Sequence, residues 1–346
     1  MRIVVHGGMH KTGTTSLQVA MVESHVALKA AGFYYPVLPR GQHIALLNTK
    51  RPGWEPGPLL AARELAGGAG AHTLLLSAED VSTMSAAQMQ RLRATLSGDA
   101  FTFVFCFRHW HAFWPSRWAQ NITRRDSQGF EAYLEMISRP QLMHPDLNFT
   151  VVLERALTVD DASVTAISFD RAIMAPGGLL EAVLSVAGVR SDTIDLVRRN
   201  ERRENTRVPW QEVEALRLLN GVLAQSVGLP QDDLCRATGE HRRPDRFFDL
   251  VAAWGWLAPA TMVELIAAID GHAREIRLAG DARFAAAAAR LDEHRALFAN
   301  ADDTRVFDTT PDCVVTTTSL DWQDFATTHR QLATEALRQM LSPTKA

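Results

Sequence analysis

The sequence predicts an α/β fold of three layers, a central and mainly parallel sheet flanked by helices, followed by a helical final third. Short β-rich apolar runs alternate with longer helical patterns through the first half of the chain, the order expected when crossover helices join parallel strands. One run, FTFVFCF at 101–107, is apolar throughout, as a strand covered on both faces should be. A third observation is the glycine-rich stretch HGGMHKTGTTS, which ends the first run and opens a helical pattern.

The elements follow from local pattern. Ile3 to His6, Thr73 to Ser77, Phe101 to Phe107 and Val164 to Asp170 read as strands, with GFYYPVL as a weaker extended stretch. Thr15 to Ala31 carries Leu17, Met21, Val22, Val26 and Leu28 at helical spacing and stops at Gly32, a helix-terminating residue. Ser85 to Leu96 reads the same way, and KRPGWEPGP at 50–58 reads as a loop. Beyond residue 206 the strand pattern fades, and PWQEVEALRLLNGVLAQ, APATMVELIAAIDGHAREI and ARFAAAAARLDEHRALFA all read as helices. The expected organisation is an α/β core over 1–205 and a mostly helical extension over 206–346 packed on it, as parts of one domain.

Composition narrows the function. A chain of 346 residues that is 47% apolar buries a large core. A formal charge of −3 provides no global field for nucleic acid or an anionic membrane, so anion recognition has to be local. Cys106, Cys235 and Cys313 fit neither a disulfide framework nor a zinc site. The expected compartment is the cytoplasm: no secretion signal is visible at the N-terminus, and no apolar run approaches the roughly 20 residues of a membrane span.

The loop after the first strand is built for an anion. A strand, a glycine-rich turn and a helix aim backbone N–H groups and the positive end of the helix dipole at one spot. Gly7, Gly8 and Gly13 let the backbone curl closely, Lys11 adds a point charge, and Thr14, Thr15 and Ser16 add hydroxyls. The usual nucleotide loop places its lysine after the last glycine. Here the order is Lys11-Thr12-Gly13-Thr14-Thr15, lysine first.

That order resembles the phosphosulfate loop, K-[ST]-G-T-[TS], of sulfotransferases that use 3′-phosphoadenosine 5′-phosphosulfate (PAPS). The resemblance covers mainly residues 1 to about 205, is closest in style to the carbohydrate-type enzymes, and implies a P-loop-like fold. It implies a second anion site for the 3′-phosphate, an Arg closing a later strand and a Ser eight residues on. In FTFVFCFRHWHAFWPSRWAQ, Arg108 and Ser116 stand in those places, and Pro115 predicts that Ser116 lies in a first helical turn. The implied donor-binding set is His10, Lys11, Thr12, Gly13, Thr14, Thr15, Ser16, Arg108 and Ser116. PAPS would be the co-substrate and PAP the product, with no metal required. Ser16 replaces the Trp that stacks on adenine in the phenol and steroid enzymes.

Sulfuryl transfer needs in-line geometry and charge stabilisation, which Lys11 would provide, and a base for the acceptor's proton. Glu79, at the end of TLLLSAED, and His43, in RGQHIALL, are the two candidates; Asp80 reads as a capping residue. The acceptor would be a small molecule or glycan bearing a hydroxyl or amine; no nucleic acid and no membrane span are expected, and a homodimer is allowed. Trp110, Trp114 and Trp118 read as core, or as an aromatic acceptor wall. RRNERRENTR at 198–207 reads as a salt-bridged helix end, or as a loop closing on the donor, a role open also to HRRPDR at 241–246; Asp170 reads as structural. Two rivals stand: a P-loop kinase or NTPase, because LLLSAED also resembles a strand ending in a metal-binding acid, and a non-catalytic PAP-binding protein.

Overall fold

The computed structural model describes residues 1–38, 41–50, 52–96, 98–124, 126–139, 144–202, 208–226, 254–278, 281–302, 304–307 and 313–341. The chain forms two compact units, one of Met1–Phe113, Pro140–Thr206 and Gly280–Thr310, the other of Trp114–Arg139, Arg207–Ala279 and Pro311–Ala346. The division does not run at residue 205. The stretch 114–139 belongs to the second unit and 280–310 to the first.

The first unit is the α/β fold that the alternating pattern predicts. Strands β1 (Arg2–His6), β2 (Phe33–Tyr34), β3 (Thr73–Ser77), β4 (Ala100–Phe107) and β5 (Ala162–Ser168) form one sheet in the order β2-β3-β1-β4-β5. Every pairing is parallel, with His6 beside Ser77 on one side and Val104 on the other. β1 is central: the chain passes from it to β2 at one edge, returns to β3 beside β1, and then crosses to β4 and β5 on the other flank. Ligands of open parallel sheets bind at the carboxyl end of such a reversal.

Alternation along β4 builds two cores. Phe101, Phe103, Phe105 and Phe107 form an aromatic row with successive ring centroids 4.9, 5.9 and 6.3 Å apart, continued by Phe149 and Phe298. Val104 and Cys106 face the opposite way and pack with Val4, Leu75 and Ile167 against helices α1 (Thr14–Glu23), α10 (Gly178–Val186) and α11 (Ser191–Arg198). Removing one such phenylalanine side chain would cost about 3–5 kcal/mol.

Several expected boundaries move. The helical pattern from Thr15 divides at Ser24 into α1 and α2 (His25–Ala30), which leaves Val26 68% exposed while Leu17, Met21 and Leu28 stay buried. Within 50–58, helix α4 (Gly57–Gly68) already starts at Gly57, with Pro near its N-terminus. Helix α5 (Ala86–Thr95) keeps the expected limits through a capping box between Ser85 and Gln88. β5 ends at Ser168, two residues early, so Asp170 lies in the first turn of α9 (Phe169–Met174) and accepts the His109 N–H at 2.6 Å.

Both flanks of the sheet end in side-chain clamps. On β5, Ala299 N–H donates to the Ala166 carbonyl at 2.9 Å, and Asn300 brackets Ser168, its Oδ1 accepting from Ser168 N–H and its Nδ2 donating to Ser168 O, both at 2.8 Å. On β3, past the short β2, His43 N–H donates to Ser77 O at 2.9 Å while His43 Nδ1 accepts from Ser77 N–H at 3.0 Å. Each clamp satisfies backbone groups that a free strand edge would leave open.

In the second unit, α12 (Trp210–Ser226) carries a buried ion pair of Glu214 and Arg217, 1% and 4% exposed. Glu214 Oε1 accepts Thr318 N–H at 3.1 Å and Arg217 Nη2 donates to Leu320 O at 2.6 Å. Asn220 reaches the carbonyls of Ile122 and Asp126. The helical run expected from residue 258 ends at Asp270; Ala273–Arg277 instead forms strand β6, antiparallel to β7 (Val314–Thr318). β-branched residues at 314–318 make that pairing favourable. Among the described residues no helix is long and apolar enough to cross a membrane.

Candidate active site

The site is built on the loop between β1 and α1. Gly7 N–H donates to Val104 O at 2.8 Å and Met9 N–H to Cys106 O at 3.1 Å, so the chain follows β4 past the end of β1 before turning. Thr12 Oγ1 donates to Met9 O at 2.6 Å and closes the turn. Gly13, the residue capping α1, has φ +71°, and Lys11, with φ +64°, adopts a left-handed conformation uncommon for a residue with a side chain. A Cβ on Gly8 would meet His6 Nε2 at 2.9 Å and Thr14 Cγ2 at 3.0 Å. Only glycine lets the backbone close this tightly ahead of the helix.

Glu79 follows β3 and reaches this loop. Its Oε2 accepts from His10 Nδ1 at 2.6 Å, and its Oε1 accepts the Thr14 hydroxyl. Burial raises the Glu79 pKa, but the hydrogen bond and charge of His10, the Thr14 bond and the His6 charge outweigh it, and the net shift is downward. Glu79 is a carboxylate at neutral pH. In a neutral imidazole, donation from His10 Nδ1 to that carboxylate leaves the lone pair on Nε2, the tautomer a general base needs. His10 is 9% exposed.

His43, the other candidate base, is 0% exposed, and both its ring nitrogens face backbone. Nδ1 accepts from Ser77 N–H, which fixes the proton on Nε2, where it donates to Pro36 O at 2.8 Å. Burial lowers its pKa to about 4 against the opposing Pro36 bond. The structure places this residue in the β3 clamp, away from solvent.

Beneath the loop lies a buried polar group centred on Ser77. Its Oγ accepts from Gln18 Nε2 at 2.9 Å and meets His6 Nδ1 at 2.9 Å, and His6 Nε2 lies 3.4 Å from Cys106 Sγ. Burial lowers the His6 pKa to about 4, opposed by the Glu79 charge, and burial alone raises that of the Cys106 thiol. These residues tie β1, β3, β4 and α1 together under the β1–α1 loop.

Arg108 closes β4 on the α1 side. Its Nη1 donates to Lys11 O at 3.2 Å, and its guanidinium carbon lies 5.3 Å above the centre of the Phe169 ring. Two motifs 97 residues apart therefore meet at the carboxyl end of the sheet. His109 and His111 follow, joined through their Nδ1 atoms. Thr15 and Ser16 are half-buried in the first turn of α1, Thr12 and Thr14 buried.

The expected position of Ser116 is corrected. Helix α6 (Trp110–Thr123) starts four residues before Trp114, because Ala112 and Phe113 N–H groups close a first turn on His109 O. Pro115 is inside the helix, and Ser116 lies in its second turn and in the second unit, away from the helix N-terminus. The tryptophan stripe is core: Trp110, Trp114 and Trp118 are 0%, 0% and 3% exposed, and Trp110 stacks on Phe149 at 4.7 Å. In 198–207, Arg198 pairs with Glu181 and Asp195 and Arg202 with Glu23, while 203–207, like the whole of 241–246, falls outside the described residues.

Sequence reasoning did not assign a role to His10 beyond the loop, although its place one residue before Lys11 marks it. Its partner lies 69 residues away, and nothing in the sequence pairs them. Neither a protein-family model nor a curated protein matches the chain.

Proposed function

We propose that this chain is a PAPS-dependent sulfotransferase that moves the sulfuryl group to a hydroxyl or amine of a small-molecule or glycan acceptor, in the cytoplasm. The observation that carries the reading is the Arg108 hydrogen bond to the Lys11 carbonyl, which joins the two sequence motifs at one edge of the sheet and supports their use by one donor. The donor has two anionic groups, and this edge offers two cations on separate elements. The loop geometry also fits: Gly8 packs too closely on His6 and Thr14 for any side chain, and Gly13 turns the backbone into α1 so that its first N–H groups face the loop.

In this reading Lys11 and the amides of the first turn of α1 hold the 5′-phosphosulfate, and Arg108 binds the 3′-phosphate, for which a guanidinium offers two parallel donors. The donor, when bound, supplies the sulfuryl group and a phosphate leaving group. His10 accepts the acceptor's proton at Nε2, and Glu79 holds the ring in the required tautomer and stabilises the cation that forms. Glu79 is thus a positioning residue. Incubating the protein with sulfur-35-labelled PAPS and a cell metabolite extract should transfer label to an acceptor and release PAP. PAP binding without transfer to any acceptor would leave a nucleotide-binding protein instead.

One observation favours a second reading. The Thr14 hydroxyl on the Glu79 carboxylate is a pairing that a metal-dependent NTPase also uses at its loop. Phosphate release from ATP that stops with EDTA would select it.

A further inference from the structure

We propose that Lys50 and Arg155, with the Thr83 hydroxyl, form a recognition subsite for an anionic group of the acceptor, a carboxylate or a sulfate; this rests on the sulfotransferase reading of the neighbouring loop. Only four of the chain's 36 cationic residues are lysines, at positions 11, 29, 50 and 345. Lys11 belongs to the loop, and Lys50 is held beside the segment that follows Glu79.

The turn at 48–50 docks on that segment through three consecutive side chains. Asn48 Nδ2 donates to Asp80 Oδ2 at 3.2 Å, Thr49 Oγ1 to Gln88 O at 3.2 Å, and Lys50 Nζ to Thr83 Oγ1. Asn48 Oδ1 also accepts Lys50 N–H at 3.2 Å, which fixes the turn. From α8 (Thr150–Leu157), Arg155 Nη1 reaches Met84 O at 3.4 Å, the residue after Thr83. Two cations thus converge on consecutive residues, and the single 3-10 turn Glu79–Thr83 joins them directly to Glu79.

Their bonds do not account for their charge. Among the described residues Lys50 uses one of three donors and Arg155 one of five, each on a neutral oxygen, and neither makes an ion pair. Asp80 faces the turn, so the group as a whole carries about one positive charge. Burial lowers the Lys50 pKa, Asp80 opposes the shift and Arg155 adds to it. Holding two like charges together on neutral partners is unfavourable in isolation. A bound anion would satisfy their remaining donors.

The test uses the full chain with its lysines reductively methylated with carbon-13, which leaves them charged and gives one methyl signal each; Lys50→Arg identifies the Lys50 signal by its loss. Sodium glucuronate and glucose 6-sulfate should each shift that signal saturably, whereas glucose with sodium chloride at matched ionic strength should not. Arg155→Gln should weaken both responses at least tenfold, and Arg155→Lys should stay within threefold of the parent. A Lys50 signal unmoved by both anions, moved equally by glucose, or indifferent to Arg155→Gln in a protein with unchanged melting temperature would overturn the proposal. PAP is titrated into the same samples and read at Lys11: no Lys11 response beside an intact Lys50 response would sink the sulfotransferase reading and leave the anion site standing.

Discussion

Asn300 and Ser168 exchange two hydrogen bonds, side-chain amide to backbone, at 2.8 Å each. An amide has the same donor and acceptor spacing as a peptide unit, so Asn300 acts as one more strand residue on the β5 edge. Asn300→Ala would leave Ser168 N–H and C=O without these partners. Each orphaned buried group costs about 1–3 kcal/mol, so the variant should lose roughly 2–6 kcal/mol and the Ser168 amide should exchange faster; a urea midpoint within error of the parent would contradict the clamp.

Buried neutral histidines make the fold sensitive to acid. His6 and His43 have folded-state pKa values near 4, below the ordinary 6.5, because burial opposes their charging. The unfolded chain then binds more protons below pH 6.5. Their stabilisation is complete above that pH and is lost as pH falls from 6.5 towards 4, by about 3 kcal/mol for each histidine. Urea denaturation across this range should show the decline, shallower in His43→Asn; a flat profile in the parent would count against the buried neutral forms.

Gly13→Ala tests the proposed anion-binding role of the β1–α1 loop directly. At φ +71° a side chain is strained by about 1 kcal/mol, and the new methyl would meet Phe169 at 3.4 Å and Leu179 at 3.5 Å. PAP affinity, read by calorimetry, should drop at least tenfold because the first turn of α1 shifts. Undiminished affinity would place the nucleotide elsewhere.

The His10 and Glu79 pairing predicts an order among variant rates. Glu79 holds the His10 ring through Nδ1, so Glu79→Gln should reduce kcat by roughly 10–100-fold with little change in KM. His10→Asn should cost at least as much, and the double variant should be no slower than His10→Asn alone. If the two losses multiplied in the double variant, Glu79 would have some other role.

The second unit has its own test. Arg217→Met would leave the Glu214 carboxylate buried without its cation, at a cost of about 3–5 kcal/mol. Glu214→Leu combined with Arg217→Met should recover much of that loss. Additive losses in the double variant would show that the two side chains act separately.

The strands of the first unit were legible because parallel, two-sided burial writes itself as continuous apolar runs, and TLLLS and FTFVFCF were delimited almost to the residue. The turn after β1 was legible because close packing at Gly8 and a positive φ at Gly13 both demand glycine. What could not be read was tertiary: Asp170 and Ser116 were shifted because strand ends and helix starts depend on local caps, here the His109 carbonyl. His43 looked like a base because a histidine is conspicuous in sequence, and only the backbone groups of Ser77 and Pro36 reveal why it is there. Ala273–Arg277 looked helical because alanine and arginine favour helices, whereas pairing with a β-branched strand 40 residues on overrides that preference.

The cover of the β5 edge is synthesised late. Asn300 leaves the ribosome 132 residues after Ser168, which at 5–20 residues per second means about 7–26 s. During that interval the edge of β5 is a template for any extended chain nearby. A product released between the two residues would keep the β1–α1 loop and most of the parallel sheet and yet remain sticky, so the vulnerable period of this protein falls during its own translation.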